Sequence, residues 1–346
     1  MLNRRVVALD IGGAHLKICG ADGECDTVPF ALWRQPERLG TQLLETLQLY
    51  APIEALAVTM TGELCDCFTT KCEGVRRIVA SVETALDHLA GSARPLVQIW
   101  RTDGSWATAD EALADPLPCA AANWHALATF AAARVAPETA LLIDVGSTTV
   151  DLVALVDGRP AAQGRTDTER LLAGELVYSG IRRTPLAAVV RELPYRGRSC
   201  PVAAEAFAAT QDAYVVLGEI VEDIEATDTA DGRPLTRPYS CARLARMICS
   251  DSDAFDLADG VAAARHVATT QRRQIADAAR RVLARVGHRI GVAVLSGSGE
   301  AVGRAVATAL DLEPRPLIES ADGRVSGAAT AFALQVLLTQ RVESLA

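Results

Sequence analysis

The chain has 346 residues, half of them apolar and 22% charged, and this length and composition predict a globular protein of two domains. The net charge of −9 argues against a nucleic-acid or anionic-membrane surface, since both favour a basic face. No run reaches the ~18 uninterrupted apolar residues of a membrane span, and the first apolar stretch is too short for a signal sequence. Nine scattered cysteines are typical of reduced thiols rather than of a disulfide framework, so we expect a cytoplasmic protein.

One supersecondary unit opens both halves of the chain. Residues 7–23 read VALDIGGAHLKICGADG, and residues 141–158 read LLIDVGSTTVDLVALVDG. Both contain an apolar run, an aspartate, a small polar turn, an alternating strand and a closing Asp-Gly, which predicts strand, tight turn and strand. Because a repeated unit indicates duplication, we expect an N-terminal domain at 1–136 and a C-terminal domain at 137–346. The terminal helix is expected to pack back on the first domain.

Helical and strand patterns alternate behind each hairpin. The first half predicts one helix along Leu39, Leu43 and Leu47, helices at 75–89 and 119–135, and strands at 55–60 and 95–100. The second half predicts helices at 202–218, 240–249, 261–286, 300–310 and 325–340, and strands at 292–295 and 316–318. This alternation predicts an α/β architecture.

The two opening hairpins carry the first candidate site residues. Asp10 aligns with Asp144, and each aspartate precedes a turn. The turn residues expected to bind phosphate are Gly12 and Gly13 in the first hairpin and Gly146, Ser147, Thr148 and Thr149 in the second. Glycine lets backbone N–H groups approach a phosphate, hydroxyls donate hydrogen bonds, and the carboxylates can hold Mg²⁺ or its waters. A single such motif is also typical of an ordinary hairpin, but two equivalent motifs in facing domains would point both loops into one cleft.

This pairing resembles the two phosphate loops of the actin-like ATPases. It implies the actin/sugar-kinase/Hsp70 fold class, which is a duplicated two-domain α/β fold with an interdomain cleft. A third candidate element joins a predicted strand to a helix through Gly297, Ser298 and Gly299. In actin-like proteins a turn of this kind contacts adenosine. A simple strand-to-helix connection, with Ser298 as the helix cap, explains the same residues equally well.

Polar side chains crowd the segment that follows the predicted strand at 55–60. Residues 58–71 read VTMTGELCDCFTTK. Open α/β sheets place their sites at the carboxyl ends of strands, and Glu63 and Asp66 are candidates for a general base or for Mg²⁺ ligands. The alternative is a solvated loop. The density of functional groups at a strand end favours the site.

Lysine is nearly absent from this chain. Lys17 and Lys71 are the only lysines among 34 basic residues, so arginine is the default solvated cation. A position that keeps lysine is a candidate for needing a compact ammonium group instead of a planar fork. Lys17 follows the first turn and Lys71 ends the 58–71 segment. We expect both to bind phosphate groups, with Lys17 also catalytic, while chance survival of two surface lysines is the alternative.

The chain resembles the tetrahydromethanopterin-linked C1-transfer-pathway proteins, a hydantoinase/oxoprolinase-like family. The resemblance runs nearly end to end and is carried by DIGGAHLK (10–17), VTMTGELCDCFTTKCEGV (58–75), TDG (102–104), AAANW (120–124), LLIDVGSTTVD (141–151), TDTERLLAGELVYSGIRRTP (166–185), TADGRP (229–234) and CARLARMICSD (241–251). The chain departs from the family pattern at Gly62, where alanine is expected. It also departs at His15 and Leu16, where the archaeal branch has an Asn-Thr pair.

The resemblance implies a transferase of methanofuran or methylofuran biosynthesis. Archaeal members join an aminomethylfuran-methyl diphosphate to the phenol of γ-glutamyltyramine, forming an aryl ether and releasing diphosphate. Mg²⁺ on Asp10 and Asp144 would stabilise the leaving group, and Glu63 or Asp66 would accept the phenol proton. ATP is not expected. The implied partners are the small-molecule diphosphate and a phenolic acceptor derived from tyramine or tyrosine, with a homodimer as one compatible assembly.

Two other hypotheses stay open at this stage. The chain could be an ATP-dependent kinase or ATPase that binds adenosine at the turn 297–299. It could also be a non-catalytic regulator that binds a phosphometabolite. ATP turnover separates the kinase from the transferase, and tight ligand binding without turnover of any substrate indicates the regulator.

Overall fold

The computed structural model describes residues 5–89, 94–287, 289–318 and 324–344. By their internal contacts the residues divide into two compact units. Unit 1 comprises Met1–Ala140, Val153–Arg170 and Leu317–Ala346. Unit 2 comprises Leu141–Leu152 and Leu171–Pro316.

A six-stranded sheet forms the centre of unit 1. Its strands are β1 (Val6–Ile11), β2 (His15–Cys19), β3 (Cys25–Pro29), β4 (Ala55–Met60), β5 (Leu96–Trp100) and β6 (Trp106–Ala107). They lie in the order β3-β2-β1-β4-β5-β6. The hairpin strands β1, β2 and β3 are antiparallel, whereas β1, β4 and β5 are parallel and require crossover helices.

A second sheet begins with the second copy of the hairpin. The remaining strands are β7 (Ala140–Val145), β8 (Val150–Val156), β9 (Arg159–Pro160), β10 (Leu176–Val177), β11 (Glu192–Tyr195), β12 (Arg198–Pro201), β13 (Val292–Ser296) and β14 (Glu313–Pro316). The sheet order is β10-β8-β7-β13-β14, with β9 beside β8, and β13 is parallel to β14. The boundary between the two units falls within β8. The strands β11 and β12 form a separate two-stranded hairpin.

Twelve α-helices connect these strands within the described residues. They are α1 (Leu39–Gln48), α2 (Lys71–Asp87), α3 (Ala109–Ala114), α4 (Asn123–Val135), α5 (Asp167–Ala173), α6 (Leu186–Val189), α7 (Thr210–Leu217), α8 (Arg237–Arg246), α9 (Leu257–Arg285), α10 (Glu300–Ala309), α11 (Arg324–Gly327) and α12 (Ala329–Ser344). None of the described helices combines the length and apolarity needed to cross a membrane.

Strand β1 separates two cores because successive side chains point to opposite faces of the sheet. Leu9 and its neighbours on one face pack in a cluster with apolar residues of α1 and α2. Val6 and Ala8 on the other face pack with residues of α4 and α12. The terminal helix α12 thus lies against the first sheet. Asp10 has the parity of Val6 and Ala8, so it lies at the carboxyl end of β1 on the side covered by α4 and α12.

The two hairpins, each followed by parallel strands and helices, confirm the predicted duplicated α/β fold of the actin/sugar-kinase/Hsp70 class. The second hairpin closes at Asp157 and Gly158, which both have positive φ, as the Asp-Gly signal predicts for a two-residue turn. The predicted helix at 202–218 is wrong over its first half. The helix begins only at Thr210, and residues 202–209 form an irregular connection between β12 and α7, which the alanine-rich pattern did not indicate.

One disulfide corrects the expectation of reduced thiols throughout. Cys19 ends β2 and Cys25 begins β3, and the two are direct partners in the antiparallel register. Directly opposite residues place their side chains on the same face within bonding reach. The structure pairs these two cysteines as a disulfide, so the prediction is wrong at this position.

Candidate active site

Asp10 lies in a row of polar residues that crosses the first sheet. Lys17 of β2 and Thr59 of β4 are its register partners on either side, so the three side chains share one face. The Lys17 ammonium lies 3.4 Å from Asp10 Oδ2. Asp10 and Thr59 are buried, and Asp10 Oδ1 and Thr59 Oγ1 have no hydrogen-bond partner among the described residues. Unpartnered buried oxygen atoms at a strand end indicate a place for a ligand.

The Gly12-Gly13 turn is held tightly against the 61–65 segment. The Gly12 N–H donates to the His15 carbonyl at 3.0 Å, which closes the turn. A Cβ on Gly13 would lie 2.6 Å from Cys65 Sγ, and a Cβ on Gly12 would lie 3.0 Å from the His15 carbonyl oxygen. These glycines therefore allow close approach of two loops. The structure brings the predicted phosphate turn and the predicted catalytic segment together within unit 1.

Two further glycines fix the position of Glu63. A Cβ on Gly62 would lie 2.6 Å from Leu32 Cδ2, and a Cβ on Gly74 would lie 2.4 Å from the Glu63 carbonyl oxygen. Either contact is closer than a real Cβ tolerates. The Gly74 contact is with backbone, so glycine is required there, whereas the alanine that the family pattern implies at 62 would mainly require the end of the Leu32 side chain to shift. The first turns of α2 lie directly on the backbone of Glu63 and hold its 3₁₀ turn at the end of β4.

Glu63 is a carboxylic acid buried in the interior of unit 1. Its side chain is 1% exposed, and neither carboxylate oxygen makes a well-formed hydrogen bond within the described chain. Burial raises its pKa from 4.5 to about 7, since the charged form loses its hydration. The Lys71 ammonium and the nearby backbone amides of Glu63 and Ala121 lower the pKa, and the Asp167 carboxylate raises it. The group can thus exchange a proton near neutral pH.

Lys71 and Asp66 differ in their surroundings although both belong to the same segment. Lys71 begins α2, and its ammonium lies 3.0 Å from Asp167 Oδ2 at the start of α5. Asp66 is exposed. The sequence offered Glu63 and Asp66 equally as candidate bases. Because a base in a desolvated site must be buried, the difference in burial favours Glu63 over Asp66.

The second hairpin turn is held by a segment from further along unit 2. The Ile181 N–H donates to the Gly146 carbonyl, and the Arg182 N–H donates to the Ser147 carbonyl, both at 3.0 Å. A Cβ on Gly180 would lie 2.4 Å from the Thr148 nitrogen. The Ser147 and Thr148 hydroxyls lie 3.5 Å apart, and the turn is closed by the Gly146 N–H on the Thr149 carbonyl. The sequence predicted the 146–149 turn but did not indicate that residues 180–182 hold it in place.

The third predicted turn lies on the end of β7, next to Asp144. A Cβ on Gly297 would lie 2.7 Å from Asp144 Oδ1, and Gly297 has a φ of +88°. The Gly299 N–H donates to the Val145 carbonyl at 2.9 Å. Ser298 is exposed and Gly299, not Ser298, is the N-cap of α10. The structure therefore gathers Asp144, the 146–149 turn and the 297–299 turn within unit 2.

Asp10 and Thr59 supply a donor set that suits a hard cation. Mg²⁺ binds through one or two carboxylates together with waters and substrate phosphates, and it prefers oxygen ligands. Asp10 Oδ1 and Thr59 Oγ1 are buried oxygens that find no partner in the part of the chain that the structure describes, so they fit that requirement. No cluster of three or more His, Cys, Asp or Glu side chains suited to a metal occurs among the described residues, so a bound Mg²⁺ would rely on such a mixed set.

Sequence reasoning missed two residues of this site. Thr59 is the single polar residue of the otherwise apolar strand ALAVTM, and its position beside Asp10 depends on the strand register. Asp167 lies at a helix start that reads Thr-Asp-Thr-Glu, but nothing local indicates its partner, because Lys71 is 96 residues away. The polar exception in an apolar strand is a signal that could have found Thr59.

Known proteins resemble this chain along most of its length. The hydantoinase/oxoprolinase family model matches residues 54–337. The (4-{4-[2-(gamma-L-glutamylamino)ethyl]phenoxymethyl}furan-2-yl)methanamine synthase of Methanocaldococcus jannaschii is 32% identical over 252 residues, which cover 72% of each chain. The synthase of the same name from Methanococcus vannielii is 40% identical over 111 residues, which cover 32% of this chain and 50% of that one.

One solved structure shows the fold independently of close sequence similarity. Nucleotide-free acetone carboxylase, an enzyme of ATP-dependent acetone carboxylation, aligns with a TM-score of 0.55 at 11% identity. The alignment covers 96% of this chain and 70% of that chain. At this identity the likeness concerns the fold alone. The family match and the synthase relatives carry the assignment: the chain belongs to the hydantoinase/oxoprolinase family.

Proposed function

We propose that this chain is a transferase of methanofuran or methylofuran biosynthesis that forms an aryl ether. The name of its two synthase relatives describes a product in which a phenol oxygen carries a furan-methyl group. In the proposed reaction the phenol oxygen of a γ-glutamyl-tyramine or -tyrosine acceptor bonds to the methylene carbon of an aminomethylfuran-methyl diphosphate. The carbon–oxygen bond to diphosphate breaks, diphosphate leaves with the bonding electrons, and the phenol proton passes to a base.

The observation that carries the proposal to this chain's own residues is the buried Glu63 carboxyl. A phenol has a pKa of ~10, so a base with a pKa of about 7 accepts its proton more readily than an ordinary glutamate would. Glu63 would accept the proton as the phenol oxygen attacks. Because a furan-methyl carbon ionises readily, the remaining task is to neutralise the diphosphate charge.

The first phosphate turn supplies donors for that task. The Gly12-Gly13 backbone and the Lys17 and Lys71 ammonium groups would bind the diphosphate oxygens by charge-assisted hydrogen bonds. Mg²⁺, when bound, would add positive charge at the leaving diphosphate. Asp10, with Thr59 beside it, would hold that ion, and Asp144 remains the second ligand proposed from the sequence. The 146–149 turn is proposed as a further phosphate contact.

The reaction is tested with purified protein, an aminomethylfuran-methyl diphosphate and γ-glutamyltyramine. We expect mass spectrometry to detect the ether and a diphosphate assay to detect one diphosphate per ether, without ATP. Glu63→Gln should lower the rate ~10²- to 10⁴-fold, the range for loss of a general base, while Glu45→Gln on the exposed face of α1 serves as the control. Absence of ether and diphosphate under all these conditions would overturn the proposal.

An ATP-dependent kinase or ATPase is the second candidate. The observation that favours it is the packing of the Gly297–Gly299 turn on Asp144, because the resemblance to actin-like proteins implies that a turn of this kind contacts adenosine. Adding ATP to the same assay separates the candidates. ADP formed in proportion to product would favour the kinase. Tight binding of the diphosphate with no turnover of either kind would instead favour a phosphometabolite-binding regulator.

A further inference from the structure

Two charged residues from distant parts of unit 1 form an ion pair, and both influence the ionisation of Glu63. Lys71 is the first residue of α2 and Asp167 is the first residue of α5. Lys71 Nζ lies 3.0 Å from Asp167 Oδ2, and the side chains are 28% and 23% exposed. A partly exposed ion pair of this kind contributes only ~1 kcal/mol or less to stability. The Lys71–Asp167 ion pair is therefore better explained by its effect on the Glu63 carboxyl than by its contribution to stability.

The first turn of α2 places Lys71 on the helix face that packs on Glu63. Residues three apart on a helix share one face, so Lys71 lies on the same face as Gly74. Gly74 packs so closely on Glu63 that a Cβ would lie 2.4 Å from the Glu63 carbonyl oxygen. The helix begins at Lys71 because the Thr70 hydroxyl caps it by accepting from the Glu73 N–H. The Lys71 backbone is thus fixed about one helical turn from the contact between α2 and the Glu63 backbone.

The start of α5 is fixed in the same way. The Glu169 carboxylate accepts from the Arg165 N–H at 2.8 Å and from the Thr166 N–H at 3.1 Å. The Thr166 hydroxyl accepts in return from the Glu169 N–H at 3.3 Å. This reciprocal cap satisfies the backbone donors of the first turn and leaves the Asp167 carboxylate to meet Lys71. Both members of the pair therefore come from anchored helix ends.

We propose that Asp167 is a positioning residue for the buried Glu63 carboxyl. It holds the Lys71 ammonium near that carboxyl and partly balances the positive charge of Lys71. The Lys71 ammonium favours the ionised form of Glu63, and the Asp167 carboxylate disfavours it. An unbalanced ammonium would favour the ionised form of Glu63 and weaken it as a base. Asp167 limits that effect while keeping Lys71 at hand for the diphosphate. The last step rests on the proposed function, whereas the electrostatic step does not.

The electrostatic step is tested by ¹³C NMR titration of the Glu63 carboxyl, assigned by the resonance that Glu63→Gln removes. Asp167→Asn keeps the shape of the side chain and removes its charge, so the Glu63 pKa should fall by about one unit. Lys71→Met removes the ammonium, so the Glu63 pKa should rise by a similar amount. Asp167→Glu should restore the wild-type titration. The control is Asp277→Asn, which removes an exposed partner of Arg280 on α9.

Asp167→Asn and Lys71→Met must shift the Glu63 pKa in opposite directions. This requirement distinguishes an electrostatic role from a general loss of structure. Loss of packing would shift the Glu63 pKa the same way in both variants or leave it unchanged, and either result would overturn the proposal. If the chain forms the ether, the acid limb of kcat/KM should follow the two titrations. Opposite NMR shifts in a chain that makes no ether would support the role of Asp167 and reject the proposed function separately.

Discussion

At the scale of a single residue, Glu63 links the chemistry of the site to the stability of the chain. Between pH 4.5 and about 7 the unfolded chain releases the Glu63 proton while the native chain keeps it. Rising pH therefore favours the unfolded state through this group. A shift of this size corresponds to about 3 kcal/mol of native stability, present below pH 4.5 and lost by about pH 7.

Replacing Glu63 by glutamine removes this pH dependence. We expect Glu63→Gln to have nearly the wild-type stability at pH 4.5, where both side chains are neutral. At pH 7.5 the variant should be the more stable by up to about 3 kcal/mol, because wild type must ionise a buried acid. Urea unfolding at the two pH values measures the difference. Equal stability differences at both values would contradict the raised pKa of Glu63.

The two lysines make a second prediction at this scale. Lys17 lies 3.4 Å from Asp10, and Lys71 lies 3.0 Å from Asp167. Arginine would keep the charge but place a planar fork where each site holds a compact ammonium. We expect Lys17→Arg and Lys71→Arg each to lower turnover ~10- to 100-fold through loss of one charge-assisted hydrogen bond.

The matched control for these variants is Arg273→Lys, on the exposed face of α9, which should turn over like wild type. Steady-state rates of ether formation provide the comparison. Wild-type rates in both lysine variants would place Lys17 and Lys71 among ordinary surface lysines.

The sequence predicted those site residues that belong to a local sequence motif. Asp10 and Gly12 were predicted because an aspartate and glycines after a strand form a recognisable turn. Glu63 and Asp66 were predicted together, and the sequence could not rank them, since burial depends on how α2 packs. Asp167 was missed because its contact with Lys71 exists only once two distant helix starts have been brought together by the fold.

At the scale of elements, unit 2 depends on a buried ion pair between α7 and α8. Arg243 and Asp212 are fully buried, with their charged groups 2.8 Å apart, and Asp212 also accepts from the Ser240 hydroxyl at 2.9 Å. Burial raises the pKa of Asp212, and the Arg243 guanidinium opposes that rise. Arg243 reaches Asp231 as well, at 2.8 Å. This network fixes the loop before α8 against the helix pair.

Removing the buried arginine should therefore be costly. We expect Arg243→Met to destabilise the chain by about 3–5 kcal/mol, because Asp212 would be left buried without its cation. Arg246 also contacts Asp231, at 3.2 Å, but it is 44% exposed, and Arg246→Met should cost less than about 1 kcal/mol. Urea unfolding of both variants tests the contrast. Similar small losses would show that the buried pair is not needed.

The elements that the sequence predicted well are those with strong periodicity. The stripe of Leu39, Leu43 and Leu47 gave α1, and the long pattern at 261–286 gave most of α9. The error at 202–218 arose because alanine is compatible with several conformations. The β11–β12 turn uses Arg196 and Gly197 with positive φ, and an arginine in the left-handed region is not signalled by sequence.

At the scale of the whole molecule, the duplication itself makes a prediction. Each hairpin carries one aspartate before its polar turn and a second aspartate in its Asp-Gly turn. The first pair is Asp10 and Asp144, and the second pair is Asp22 and Asp157. Only the first pair lies at the end of an opening strand, β1 or β7. The repeated unit therefore contains its own matched control for the proposed role in diphosphate binding.

We expect Asp10→Asn and Asp144→Asn each to lower ether formation ~10²- to 10³-fold, the range for losing one group that stabilises developing charge. Asp10→Asn should also weaken Mg²⁺ binding measured by calorimetry without substrate, since a neutral amide replaces an anionic oxygen ligand. Asp22→Asn and Asp157→Asn should leave both readouts unchanged, because asparagine suits tight turns and also tolerates the positive φ of Asp157. If only one of the two variants Asp10→Asn and Asp144→Asn lost activity, the two duplicated aspartates would not have equivalent roles.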